Sequence, residues 1–308
     1  MRCHYRKHEI MDVKILTKKH ENFSKPLKEE FISRGLSASS IVPDMFSNIN
    51  IMDADLVILK SKTKSILRIA AVAWGQGMAV IPDPHTALVI RDRCLTLSFL
   101  AQKGLLTPAR SVGNPKLLGQ TLPESFFPAI QKPLMSSGSV GIKIYETLEE
   151  FRDSFSTEMK DKVDVPLHYE IENHPNGLYY LEKLIEGEHY LSYFIGDKVK
   201  VHKKKPFASE KGVSAEVVDA PNVEKLTLAY KKATGLLLGD LDLVIPYEKP
   251  DDIVIVDPGS FPSFMPWPEA PKLVADEILG WYSKARNIPR TIGYWRRVEK
   301  IDYSSALG

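Results

Sequence analysis

Residues 253–264 read IVIVDPGSFPSF: four β-branched residues in a row, an aspartate, then Pro258 and Gly259 leading into a proline-interrupted aromatic pair. A β-branched run suits a buried strand, and the Pro-Gly step ends it, so the strand delivers the Asp257 carboxylate to its own terminus. Just upstream, GDLDLVIPYEKPDD (239–252) supplies a second strand and a turn. If Tyr247 pairs with Asp252 around residues 248–251, antiparallel pairing continued along the hairpin places Asp242 directly opposite Asp257. Cross-strand neighbours lie about 5 Å apart. Two carboxylates that close repel unless a cation lies between them, and Mg²⁺ is commonly held by one or two carboxylates plus substrate phosphates. The hairpin therefore predicts a metal site at Asp242 and Asp257. The bland alternative is that Asp257 starts a turn and Asp242 is solvated.

The composition narrows the classes of function. With 308 residues, 44% of them hydrophobic, the chain can build a sizeable core. Lys plus Arg (41) nearly balances Asp plus Glu (39), so no global basic field argues for a nucleic-acid partner. The longest apolar candidate, Ala70 to Val80, is broken by Gly75 and Gly77 and falls short of the roughly 20 residues of a membrane span. Cys3 and Cys94 stand far apart with no partner at metal-ligand spacing, which points to reduced thiols and a cytoplasmic location. The first ten residues, MRCHYRKHEI, are basic without an apolar segment. They read as a flexible extension ahead of Met11, an alternative start, and Cys3, His4 and His8 as part of a solvated tail rather than a metal cluster.

Along the chain, residues 11–106 alternate strand-like runs (13–16, 54–59, 78–81) with helical ones (26–33, 63–74 and one long helix over 85–103). Such alternation predicts a parallel α/β domain. Residues 107–186 and 187–290 read as α+β units. The first contains strand-like runs at 167–172 and 178–184; the second has a hairpin turning at Gly196-Asp197, a helix over 223–234 and a final helix over 270–285. Residues 291–308 are a tail.

Two more stretches carry chemistry. In QKPLMSSGSVGIKI (131–144), a small-residue loop lies between strands, so its backbone N–H groups can close over phosphates while Lys132 supplies a point charge. A plain turn is the simpler reading. YYLEKLIEGEHYLSYFIGDKVKVHKKKP (179–206) combines an apolar run bearing Glu182 and Lys183, then Glu188 and His189, with a hairpin leaving through Lys203, Lys204 and Lys205. The lysines also suit a solvated edge.

Taken in order, RDRCLTLSFLAQKGLLTPA, PAIQKPLMSSGSVGI, LEKLIEGEHY, GDLDLVI and VDPGSFPSF make residues 11–290 resemble the ATP-grasp superfamily, among it the ligases that modify ribosomal protein S6 with glutamate and, more distantly, the inositol polyphosphate kinases. The resemblance implies an α/β N-terminal domain followed by α+β central and C-terminal domains, with ATP between the last two. Lys132 and Arg93 would meet the nucleotide phosphates. Ser136, Ser137, Gly138, Ser139 and Gly141 would form the lid loop above them. Glu182, Lys183, Leu184 and Ile185 would line the adenine, and Glu188 or His189 would take the ribose, the register being ambiguous by one residue. Lys205, with Lys203, would contact the transferred phosphoryl group, and Asp242 and Asp257 would hold Mg²⁺, with Mn²⁺ as an alternative. The implied function is an ATP-dependent ligase joining a small-molecule or peptide carboxylate to an amine, or to a thiol, through an acyl phosphate. The alternatives are a small-molecule kinase and a nucleotide-binding protein with reduced or lost catalysis. Oligomeric state stays open, a homodimer included.

Three departures bear on catalysis. Gly259 stands where the family usually has the Asn of Asp-x-Asn, Arg93 replaces the lysine of the family's Asp-Lys pair, and Thr96 occupies a position that is often a phosphate-binding lysine. Ser260 is one residue that can compensate for the missing carboxamide.

Overall fold

The computed structural model describes residues 10–19, 21–43, 51, 54–134, 141–158, 178–206 and 213–286. The expected extension, the strand at 167–172, the lid residues Ser136, Ser137, Gly138 and Ser139, and the tail at 291–308 lie outside the described residues. The chain forms two compact units: one runs up to His85 and resumes at Glu269, the other spans Thr86–Pro268.

The first unit is built on β1 (Asp12–Leu16), α1 (Ser24–Ser33), β2 (Ser37–Ile41), β3 (Leu56–Leu59), α2 (Lys64–Gly75) and β4 (Ala79–Ile81). The strands form an all-parallel sheet in the order β2-β1-β3-β4. Helices cover such a sheet, and its inner strands read as continuous apolar runs: Leu56, Val57, Ile58 and Leu59 are all fully buried. The alternation of strand and helix made this sheet legible. β2 was not, because its sequence, SASSI, is that of a half-exposed edge strand without an apolar face.

The helix expected over 85–103 is two helices, α3 (Pro84–Arg91) and α4 (Arg93–Gln102). Asp92 between them is extended (φ −86°, ψ 108°), and its carboxylate accepts the Leu95 N–H at 3.0 Å. This is an N-cap, and it makes Arg93 the first residue of α4. Ile90, Leu97 and Leu100 pack in one core cluster with Phe194, Val201 and Leu241, so both helices condense with the second unit.

The second unit contains two antiparallel sheets. One comprises β5 (Arg110–Gly113), β6 (Ala129–Gln131), β7 (Lys143–Tyr145) and β8 (Tyr179–Lys183) in the order β5-β8-β6-β7, with α5 (Pro115–Thr121) and α6 (Leu148–Glu158) packed through Leu118 and Phe151. The other comprises β9 (Gly187–Ile195), β10 (Lys198–Lys204), β11 (Val213–Val217), β12 (Leu238–Pro246) and β13 (Val254–Gly259), ordered β11-β10-β9-β12-β13. α7 (Pro221–Thr234) covers one face of this sheet, where Val223 and Tyr230 meet Phe194, Leu241, Leu243 and Ile255. The expected β9–β10 turn is present, with Gly196 at φ 57°. After β13 the chain buries Phe261, Phe264 and Trp267. Phe264 takes φ 51°, a conformation unfavourable for a bulky residue, and its ring packs 5.6 Å from Tyr193 and 6.3 Å from Trp267. The last helix, α8 (Ala270–Arg286), returns to the first unit, where Asp276 accepts from Arg34 of the C-cap of α1 at 2.7 Å. Among the described residues, no helix is long and apolar enough to cross a membrane.

The β12–β13 pairing corrects the expected register and explains it. Val244 pairs with Val254 and Leu243 with Ile255, so the hairpin closes one residue away from the Tyr247–Asp252 pairing. Beyond that, Asp242 pairs with Asp257, Leu241 with Pro258 and Asp240 with Gly259, which leaves Val256 as an extra residue in a bulge. On a regular strand, residues two apart share a face, and Ile255 and Asp257 would point the same way. The bulge separates them: Ile255 enters the core with Leu243, and Asp257 joins Asp242 on the opposite face.

β9 and β12 approach closely at Gly187, where a Cβ would lie 2.1 Å from the Ile245 carbonyl oxygen. Gly187→Ala is expected to cost about 1–3 kcal/mol, read as a lower urea midpoint with an unchanged m-value.

Candidate active site

Strand alternation defines the site. Asp240 and Asp242 on β12, Asp257 on β13 and Lys204 on β10 share the face of the five-stranded sheet that α7 does not cover. Lys204 Nζ donates to both oxygens of Asp242, at 2.7 and 2.6 Å. Arg93, from the first turn of α4, forks onto Asp257: Nε to Oδ1 at 3.1 Å and the terminal nitrogen to Oδ2 at 3.0 Å. Its other terminal nitrogen donates to the Pro133 carbonyl, and its backbone N–H to Leu134 O. Lys132, from the end of β6, donates to Glu182 Oε2 at 2.6 Å and to the carbonyl of Val256, the bulged residue, at 3.1 Å. The bulge thus frees a ladder carbonyl for a lysine of the neighbouring sheet, and Arg93 and Lys132 tie the two sheets together at the carboxylates.

The electrostatics follow from this interleaving of charges. Protein atoms surround Asp257, which by itself raises a carboxylate, but Arg93, followed by Lys132 and Lys204, holds it below its ordinary value. Asp242 goes the other way: burial and the nearby Asp257 raise it by more than Lys204 lowers it. Both side chains still touch solvent, Asp257 with 37% of its side chain exposed and Asp242 with 25%. Glu182 is buried, and its Oε1 has no hydrogen-bond partner.

The remaining sequence-selected residues fall in several places. Glu188 and Lys203 pair with each other at 3.3 Å, both largely exposed, on the opposite face of the sheet from Asp242. His189 is on the carboxylate face, where burial and then Lys204 and Lys132 lower its pKa. Lys205 follows the end of β10 and is exposed. Lys183 donates from Nζ to Ser125 O, and the N–H groups of Lys183 and Leu184 are taken by Ala109 O and Pro128 O; Leu184 and Ile185 are half-buried. Gly141 takes φ 79°, close to the Pro133 ring. Thr96 is buried and its hydroxyl donates to Val89 O, so it secures the α3–α4 junction. Lys204, one of the three hairpin lysines, was given no role of its own from the sequence. The β9–β10 register, counted from Gly196-Asp197, sets it opposite His189, and only the β9–β12 pairing puts that position on the face of Asp242.

Gly259 has a steric reason. A Cβ there would lie 1.9 Å from Asp240 Oδ1, because Asp240 pairs with Gly259 and its carboxylate fills the space of a side chain at 259. An Asn does not fit at this position while Asp240 is in place. Ser260 is fully buried, its hydroxyl without a hydrogen-bond partner.

No protein-family model and no curated protein matches the chain. Solved structures do. A RimK-domain ATP-grasp protein from Sphaerobacter thermophilus superposes with a TM-score of 0.68 at 15% identity, covering 86% of this chain and 98% of its own. The D-alanine–D-alanine ligase of Bacillus anthracis, complexed with ATP, gives 0.64 at 15% identity over 90% and 98%. The ATP-grasp ligase PsnB, complexed with a minimal precursor, Mg and ADP, gives 0.62 at 12% identity over 88% and 98%. The fold is ATP-grasp. At these identities the likeness is one of fold.

The donor set here suits Mg²⁺ completed by phosphates. Asp242 and Asp257 offer hard oxygens from directly paired positions. Among the described residues, no group of three or more His, Cys, Asp or Glu side chains is placed to hold a metal by itself.

Two outcomes follow. Gly259→Ala is expected to lose about 1–3 kcal/mol from overpacking, and Asp240→Ala in the same chain to restore most of it, measured as a double-mutant cycle of urea unfolding. Asp257, with a depressed folded pKa, contributes stability that is present above its ordinary value of 3.8 and lost as the pH falls through the depressed one. Arg93→Gln should therefore destabilise at neutral pH by about 1–3 kcal/mol, less than for a fully buried pair because Asp257 is partly exposed. The deficit should shrink below about pH 4.

Proposed function

We propose that the chain is an ATP-dependent ligase that joins a carboxylate to an amine through an acyl phosphate. The observation that carries this reading is the Asp242–Asp257 cross-strand pair, set among Lys204, Arg93 and Lys132 on the face of the sheet that α7 does not cover. The fold neighbours complexed with ATP, and with Mg and ADP, support it.

In this reading Mg²⁺ held by Asp242 and Asp257 would neutralise charge on the transferring phosphoryl group. Lys132, Arg93 and Lys204 are three cations within reach of the same region, and each would exchange its present carboxylate for a phosphate oxygen. Glu182 to Ile185 would line the adenine, with the unpartnered Glu182 Oε1 as a buried acceptor. His189, on the carboxylate face, would take the ribose in preference to Glu188, which lies on the opposite face with Lys203; the loop 136–141 would cover the phosphates; and Lys205 would approach the transferred group from the end of β10. Most of the rate would come from positioning and from charge stabilisation. The acceptor carboxylate belongs to a small molecule or a peptide, the latter by analogy with the precursor bound to PsnB.

A second reading, nucleotide binding without turnover, is favoured by one observation: both carboxylates already hold protein cations. Trapping with hydroxylamine separates the readings. With Mg²⁺, ATP and a panel of carboxylic acids, a ligase yields ADP and a hydroxamate, and Asp257→Asn should lower that rate by about 100-fold or more. ATP binding without ADP formation on any acid would favour the second reading, and phosphate found stably on an alcohol would indicate a kinase.

A further inference from the structure

The two carboxylates of the proposed metal site are fully engaged. Arg93 bonds both oxygens of Asp257, and Lys204 bonds both oxygens of Asp242. Charge-assisted bonds of this kind, and bidentate ones above all, are the strong ones. Neither cation is a loosely placed surface group: Arg93 is 5% exposed, starts α4 and is fixed to Pro133 and Leu134, while Lys204 ends β10 with 11% of its side chain exposed. With Lys132 on Glu182, three cations are each paired with a carboxylate.

From this arrangement we infer that Arg93 and Lys204 latch the carboxylates shut, so that the chain takes up a divalent cation only together with a nucleotide. The inference rests on the nucleotide- and metal-binding reading above. A bare divalent ion must break two ion pairs and then sits beside the cations it has displaced, at a distance where like charges repel strongly. A nucleoside triphosphate changes the balance. Its phosphate oxygens replace the carboxylates as partners of the guanidinium and the ammonium, and the freed Asp242 and Asp257 can turn to the metal. Arg93 reaches both halves of this exchange. It bonds Asp257 on β13, and it bonds the backbone at Pro133 and Leu134 that follows β6.

The test is calorimetric titration of the full chain with Mn²⁺, with and without a non-hydrolysable ATP analogue, alongside melting temperatures. In the wild type, Mn²⁺ alone is expected to bind at least about tenfold more weakly than with the analogue. Arg93→Gln and Lys204→Gln should each bind Mn²⁺ alone about tenfold or more tightly than the wild type. Their melting temperatures, lowered by the unpaired carboxylate, should rise on adding Mn²⁺ alone. Arg93→Lys, which keeps the charge, should stay close to the wild type. A purely structural role for the two cations predicts loss of metal binding in the variants, not gain. The latch is overturned if the wild type binds Mn²⁺ equally well without the analogue, or if whichever of the two Gln variants is folded binds Mn²⁺ alone no more tightly than the wild type. Absence of analogue binding to the wild type under all conditions overturns the underlying reading as well.

Discussion

The pairing of Asp242 with Asp257 across β12 and β13 is the constraint on which the rest of the site depends, and it exists because of one extra residue. Val256 bulges out of the ladder, which lets Ile255 pack against Leu243 in the core while Asp257 turns to the other face. The same bulge frees the Val256 carbonyl for Lys132. One backbone irregularity therefore sets the spacing of two carboxylates, separates an apolar from a charged face, and ties the five-stranded sheet to its four-stranded neighbour.

Two like charges in directly paired positions must be compensated, and the compensation comes from Arg93 and Lys204. This accounts for the opposite behaviour of the two acids: Asp257, with the guanidinium fork and two further cations around it, stays ionised easily, whereas Asp242, relying mainly on Lys204 and repelled by Asp257, holds its proton more readily. Asp240 completes the picture by taking the space over Gly259 that a side chain from β13 would otherwise fill.

Much of the fold was legible in the sequence where local chemistry dominates. The parallel sheet of the first unit followed from alternating apolar runs, the β9–β10 hairpin from Gly196-Asp197, and the opposition of Asp242 and Asp257 from the hairpin around residues 248–251. That opposition was reached through a uniform register, whereas the real ladder shifts by one residue and recovers it at the bulge. The edge strand SASSI and the break at Asp92 escaped notice. An edge strand carries no apolar alternation, and a cap inside an apolar stretch competes with a periodicity that continues through it.

Residue types and their order were decided by the sequence alone: an aspartate at the end of a β-branched run, a second one a hairpin away, and lysines at Lys132 and at 203–205. Which lysine meets which acid was decided by the tertiary structure, because adjacent residues on a strand point to opposite faces and only the assembled register says which face is which. Lys204 therefore meets Asp242, while Lys203 meets Glu188 on the other side. Arg93 reaches Asp257 from 164 residues away, a contact that depends on α4 packing against β13 and on no local signal.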